Sequence, residues 1–199
     1  DAADLNSIAA VKSMGILNRD EGADAATPGI LRFTSPEQAA GYFMLGETTK
    51  TSAAGKEVGK TRSPFTQPFF PLAHGLQAKR FSTLAATMPD VGLWMMNTGY
   101  VGGSTHEVNT GNAHKVRIRH SSAMLEALLA DTIVWTEDAD FGYEVVDVSH
   151  PGNAALLEKV PEDILRPENF YKNTGRSREY TAWVDQMKTE RRAFLKTYD

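Results

Sequence analysis

Residues 91–96 (VGLWMM) form an unbroken apolar run, and this run constrains the chain more than any other stretch. With no polar residue to turn toward water, it reads as a buried strand covered on both sides. It stops at Asn97-Thr98-Gly99 and opens into a Gly-, Thr- and Asn-rich loop that reaches Asn112. Asn-Thr-Gly also occurs at 109–111 and 173–175 with unrelated flanks. Asn and Gly both tolerate positive φ, so the tripeptide alone reads as ordinary loop sequence.

Helical patterns surround this strand. Ser35-Pro36-Glu37-Gln38 carries an N-cap serine, proline at the first helical position and Gln three residues after the cap. Ala39, Tyr42, Phe43 and Gly46 then fall on one face. Residues 76–88 repeat the period through Leu76, Phe81, Leu84, Ala85 and Met88. Residues 121–130 put Met124, Leu125, Leu128 and Leu129 inward, and 179–198 carry a stripe from Tyr180 to Tyr198 with cations near its end. Residues 4–16 read as a weak helix after Asp4. Strand patterns lie at 115–119 (KVRIR), 132–135 and 143–148. Mixed helices and strands joined by glycine loops indicate an α/β (mixed α+β) domain.

Two segments resist burial or demand it. Residues 47–62 are polar and small, which reads as a mobile surface loop. Residues 64–71 (PFTQPFFP) form an extended apolar segment that needs cover. The length of 199 residues suits one substantial domain or two small ones.

Composition excludes several classes. There is no cysteine, hence no disulfide scaffold, thiolate metal site or cysteine nucleophile. No apolar run approaches the ~20 residues of a membrane helix. A net charge of −4 shows no nucleic-acid footprint. The first residue is Asp1 and no signal peptide is visible, so a processed product or a piece of a longer, cytoplasmic protein is expected.

Most chemical motifs fail on spacing. Gly55-Lys56-Glu57-Val58-Gly59-Lys60-Thr61 is one residue short of a phosphate-binding loop, lacks a preceding apolar strand and is followed by Pro64. The five histidines show no metal-ligand spacing, and no metal is assigned. There is no Gly-x-Ser-x-Gly elbow, and Glu137, Asp138 and Asp140 read as a solvated turn. The strongest combination is 97–122: a buried strand, a glycine loop, cations at Lys115, Arg117 and Arg119, and a helix start at Ser121. Glycines admit a ligand to the backbone and free amides attract anions, so this is a candidate anion or nucleotide edge.

Taken in order, these segments resemble the C-terminal part of ATP-dependent phosphoenolpyruvate carboxykinase. That family has a Thr-Pro-Glu-Gln helix leading to Gly-Tyr/Phe-Thr-Ala-Lys; here Ser35-Pro36-Glu37-Gln38 leads to Gly46-Glu47-Thr48-Thr49-Lys50. The family's Ala-Gly-Thr-Glu and Phe-Ser-x-x-Phe correspond to Ala54-Gly55-Lys56-Glu57 and Phe65-Thr66-Gln67-Pro68-Phe69. Its strand ending Asn-Thr-Gly-Trp is similar to 93–100 (LWMMNTGY), and its Lys-Arg-Ile-Ser-Ile-Lys-Asp-Thr-Arg-Ala-Ile to 114–124 (HKVRIRHSSAM). Pro151-Gly152 and 164–171 (ILRPENFY) continue the likeness, which runs from about Ser35 to Tyr198.

The resemblance implies a lead-in segment over 1–34 and a nucleotide-cleft domain over 35–199, with a lid at about 47–62. It implies an adenine-binding wall at Lys115, Val116 and Ser121, where the family has Arg, Ile and Thr. It implies lid residues Thr48, Lys50, Gly55 and Glu57. The parent reaction it implies converts oxaloacetate and ATP to phosphoenolpyruvate, carbon dioxide and ADP with a divalent metal, in gluconeogenesis. The phosphate loop, metal ligands and substrate-binding arginine of that family lie upstream, so the fragment's partner is the upstream half of the same protein and this piece alone is expected to be inactive. Glu47 replaces an aromatic and Lys56 a threonine. These departures keep open a non-catalytic nucleotide-binding or regulatory module, and a small-molecule-binding domain unrelated to phosphoryl transfer.

Overall fold

The computed structural model describes Asp4, Ser7, residues 10–50 and residues 59–198. In chain order these form β1 (Ser13–Asn18), β2 (Ile30–Arg32), α1 (Pro36–Leu45), β3 (Thr48–Lys50) and β4 (Gly59–Thr61). There follow α2 (His74–Ala86), β5 (Gly92–Asn97), β6 (Tyr100–Val101), β7 (His114–Lys115) and α3 (Ile118–Leu129). The last elements are β8 (Trp135–Glu137), β9 (Glu144–Val146), α4 (Ala154–Leu157), α5 (Glu162–Leu165), α6 (Pro167–Asn173) and α7 (Ser177–Leu195).

The main sheet has the order β1-β5-β2-β9-β8. Only β1 and β5 run parallel; the other pairs are antiparallel. Adjacent apolar residues along each inner strand feed opposite faces, as a period of two requires. Ile30, Met96 and Val146 join Met124 of α3 and Ile164 and Leu165 of α5 on one side. Leu31, Met95 and Val145 join Phe33, Ala39 and Tyr143 on the other, beside α1. A third cluster, Val101, Phe170, Tyr171, Tyr180, Val184 and Met187, lies under α6 and α7. The fold is therefore the mixed α/β class that the sequence indicates.

Several expectations need correction. Of the weak helix expected over 4–16, residues 5, 6, 8 and 9 lie outside the described residues, and residues 13–16 belong to β1, because 13–18 find a parallel partner in β5. The stretch expected as a lead-in, 1–34, supplies β1 and β2, and both Ile30 and Leu31 are fully buried in the main sheet. Described residues of the 47–62 loop are not loose: β3 and β4 pair antiparallel, with Glu47 and Thr49 buried. The 115–119 strand stops at Lys115. Arg117 caps α3, its N–H donating to Nδ1 of His120, and Ile118 is already helical. The buried face of α3 runs through His120, Ala123 and Met124 with Leu128 packed beside it, so Leu125 and Leu129 face solvent. α2 buries only Ala85, and Leu76 and Leu84 are exposed. Asp138 is not solvated: it is buried in its turn, accepting the amides of Asp140 and Phe141, and burial raises its pKa. The 64–71 segment is incompletely covered, with Phe65 and Phe69 exposed.

Candidate functional site

The parallel pair β1 and β5 ends in register at Asn18 and Asn97. Carboxyl ends of parallel strands are where ligands approach open α/β sheets. Asn97 fixes the chain there. Its Oδ1 accepts from the amides of Asp20 (3.1 Å) and Gly99 (2.8 Å), and its Nδ2 donates to the carbonyls of Thr27 (3.0 Å) and Tyr100 (2.9 Å). One fully buried amide thereby orients both outgoing loops. Gly99 is required by closeness, since a Cβ there would lie 2.1 Å from the Asp20 carbonyl oxygen. The far end of the glycine loop is tied by Arg176, whose Nη1 donates to the carbonyls of Gly102 (2.8 Å) and Asn112 (3.2 Å).

The β3–β4 hairpin lies against the loop after β1. Lys60 of β4 puts its ammonium 3.0 Å from Asp20 Oδ1 and 2.8 Å from Asp24 Oδ2. Asp20 Oδ2 accepts from the Ala26 and Thr27 amides and the Thr27 hydroxyl. Burial would lower the pKa of Lys60, but Asp20, Glu47 and Asp24 more than offset it and raise the value. On β3, the Thr49 amide donates to the Arg19 carbonyl (2.8 Å), and Thr49 Oγ1 accepts from the Glu21 amide (3.1 Å). Glu21 Oε1 accepts from the Thr105 amide and hydroxyl, and Thr105 Oγ1 lies 2.7 Å from the Tyr100 hydroxyl. The Tyr100 ring carries the Arg19 guanidinium at 5.5 Å and the Lys115 ammonium at 5.8 Å from its centroid. A continuous chain of contacts thus joins the hairpin to Lys115.

The predicted site residues divide as follows. Lys115 is exposed on β7, opposite Tyr100, and has no carboxylate partner among the described residues. Val116 is 3 % exposed and packs in the cluster with Met96 and Met124, its amide donating to the Gly99 carbonyl. Ser121 does not start a helix: it lies in the first turns of α3, its amide donating to the Arg117 carbonyl (3.1 Å), and nothing described joins it to Lys115. Thr48 and Lys50 lie in β3, opposite Thr61 and Gly59. Gly55, Lys56 and Glu57 lie outside the described residues.

Sequence reasoning missed Asp20, Glu21, Lys60 and Asn97. Asn97 stands at the start of the 97–122 combination, where the buried strand ends, but nothing in the sequence assigns a role to its side chain. Chemically the edge carries both free and committed cations. Lys115 is free to meet an acceptor, whereas Arg19, Lys60 and Arg62 are already ion-paired to Glu21, Asp20 with Asp24, and Glu47. Among the described residues no group of three His, Asp or Glu is placed to hold a metal. No helix is long and apolar enough to cross a membrane.

Comparison with known proteins gives the family of the chain. The profile of the phosphoenolpyruvate carboxykinase family matches residues 20–153. The ATP-dependent phosphoenolpyruvate carboxykinase of Aeropyrum pernix is 28% identical over 170 residues, covering 85% of this chain and 30% of the relative. The Geobacter sp. (strain M21) enzyme is 31% identical over 153 residues, 72% of this chain and 26% of its own length. That of Bacillus cereus (strain AH187) is 27% identical over 175 residues, 83% and 29%. The chain spans under a third of the length of these curated relatives. With two-thirds of its residues inside the family match, it belongs to the phosphoenolpyruvate carboxykinase family, as a divergent member of partial length.

Proposed function

We propose that this chain is the nucleotide-facing C-terminal portion of an ATP-dependent phosphoenolpyruvate carboxykinase. Lys115 stands at the adenine edge, Val116 shapes it from beneath, Ser121 follows on α3, and the β3–β4 hairpin is the base of the active-site lid. The whole protein would convert oxaloacetate and ATP to phosphoenolpyruvate, carbon dioxide and ADP, a cytoplasmic step of gluconeogenesis. A divalent metal would be held by the upstream portion and would supply charge neutralisation of the phosphates. The lid's share is to exclude water, which protects an enolate from protonation and strengthens local electrostatics.

The observation that carries this reading is the convergence of the β1 and β5 carboxyl ends, the hairpin and Lys115 in one bonded edge. Calorimetric titration of ATP into the full-length protein, wild type against Lys115→Ala, tests it. Loss of one charge-assisted hydrogen bond should weaken binding by about 1.5–3 kcal/mol, tenfold or more. Equal affinities would remove Lys115 from the site. The 199-residue chain by itself is expected to show no carboxykinase turnover.

The ion-paired cations favour a second reading, a non-catalytic nucleotide-binding or regulatory module. Lys60 and Arg62 are each paired with two carboxylates, which offsets their charge toward a triphosphate. ATP binding by the full-length protein without oxaloacetate-dependent turnover would select it.

A further inference from the structure

The two ends of the β3–β4 hairpin meet at the end of α1. The Ser63 amide donates to the Leu45 carbonyl (2.9 Å), and Gly46 turns with φ 45° directly against Ser63, where a Cβ would lie 1.8 Å from the Ser63 carbonyl oxygen. This neck is narrow, and it is held from outside by the last long helix.

Glu47 opens the hairpin and Arg191 sits near the end of α7. The side chains of Glu47 and Arg191 are only 5% and 10% exposed. Arg191 Nη2 donates to Glu47 Oε1 at 2.7 Å, and its Nε to Oε2 at 3.3 Å, a two-pronged pair. The guanidinium also lies 5.4 Å from the Tyr42 ring centroid and 5.2 Å from that of Phe141. Arg62, on the exit side, donates to Glu47 Oε2 at 2.7 Å and pairs with Glu190 of α7 at 2.9 Å. Both limbs of the neck are therefore bonded to adjacent residues of one helix.

Pulling such a pair apart leaves two desolvated charges, so the elements it joins move together or the seam must flood. By contrast, Lys60 ties the far part of β4 to the loop after β1. We propose that α7 is the anchor of the hairpin: the Glu47–Arg191 pair holds the hairpin neck to the C-terminal helix, so hairpin opening is governed from α7. This goes beyond the assignment of a nucleotide and does not depend on it.

The experiment is amide hydrogen exchange on the 199-residue chain with the double variant Glu47→Gln/Arg191→Met, which removes both charges and strands neither. The hairpin amides of Thr48–Lys50, Gly59–Thr61 and Ser63 should exchange at least tenfold faster than in wild type, while Gly92–Asn97 of β5 keeps its protection. Two results overturn the proposal: unchanged hairpin protection, or equal acceleration of hairpin and β5, which would make the pair a contributor to global stability alone. Should the double variant fail to fold, Arg191→Lys keeps the charge but loses the fork and the ring contacts. Faster hairpin exchange with unchanged β5 supports the anchor there too, and wild-type exchange overturns it.

Discussion

Replacing Glu47 with Gln should remove stability that is present at neutral pH and absent in strong acid. Burial alone would raise the pKa of this carboxyl, but Arg191, together with Lys60 and Arg62, holds it at about 2, below its ordinary 4.5. A folded-state value below the unfolded one stabilises the chain above pH 4.5, and that contribution fades as pH falls toward 2. The difference corresponds to about 3 kcal/mol at pH 7, falling below about 1 kcal/mol at pH 2.5. Urea unfolding of wild type and Glu47→Gln at pH 7, 4 and 2.5 reads it directly. Both proteins share every other titrating group, so the gap between them isolates Glu47. The gap should be largest at pH 7 and nearly close at pH 2.5. A gap that stays constant with pH would refute the reasoning.

Three further outcomes are expected. Asn97→Ala should cost about 3–5 kcal/mol in thermal or urea unfolding, because four buried backbone groups lose their partner at once. Val116→Ala should cost about 2 kcal/mol in urea unfolding through lost packing, as its side chain is buried in the cluster with Met96 and Met124. Gly99→Ala should cost about 3 kcal/mol, since the new Cβ meets backbone that cannot rotate away; a variant as stable as wild type would contradict the contact with Asp20.

The parts of this fold that could be read from the chain are those whose causes are local. Ser35 caps α1 by accepting the Gln38 amide at 3.1 Å, with Pro36 next, all within four residues. The apolar run at 91–96 reads as a buried strand, and 92–96 lie in β5, buried at Met95 and Met96 and half-exposed before them. β1 was hidden because its pattern is weak and Leu17 is 61 % exposed; its strand state comes from β5, far along the chain. The 115–119 alternation misled because an Arg at the N-cap is not a usual helix start, and the His120 imidazole does the capping. Glu47 reads only as part of a polar loop and Arg191 is not singled out, since a residue's partner 144 positions away leaves no mark nearby. The candidate edge was half legible: Lys115 announces itself as a cation on a strand, but the carboxylates that hold the hairpin beside it do not.

The strand order also sets a timetable. β1 and β5 pair across a separation such as the 80 residues between Asn18 and Thr98, and β2 waits for β5 and then β9. Closing an 80-residue loop costs about 2 kcal/mol more entropy than closing one of ten. Within the main sheet only β8 and β9 are joined by a short turn, with α3 just before them. During synthesis β1 and β2 therefore leave the ribosome long before any partner exists, and their apolar residues stay uncovered until β5 arrives. A sheet assembled this way is slow to nucleate, with β5 as the gate through which β1 and β2 enter.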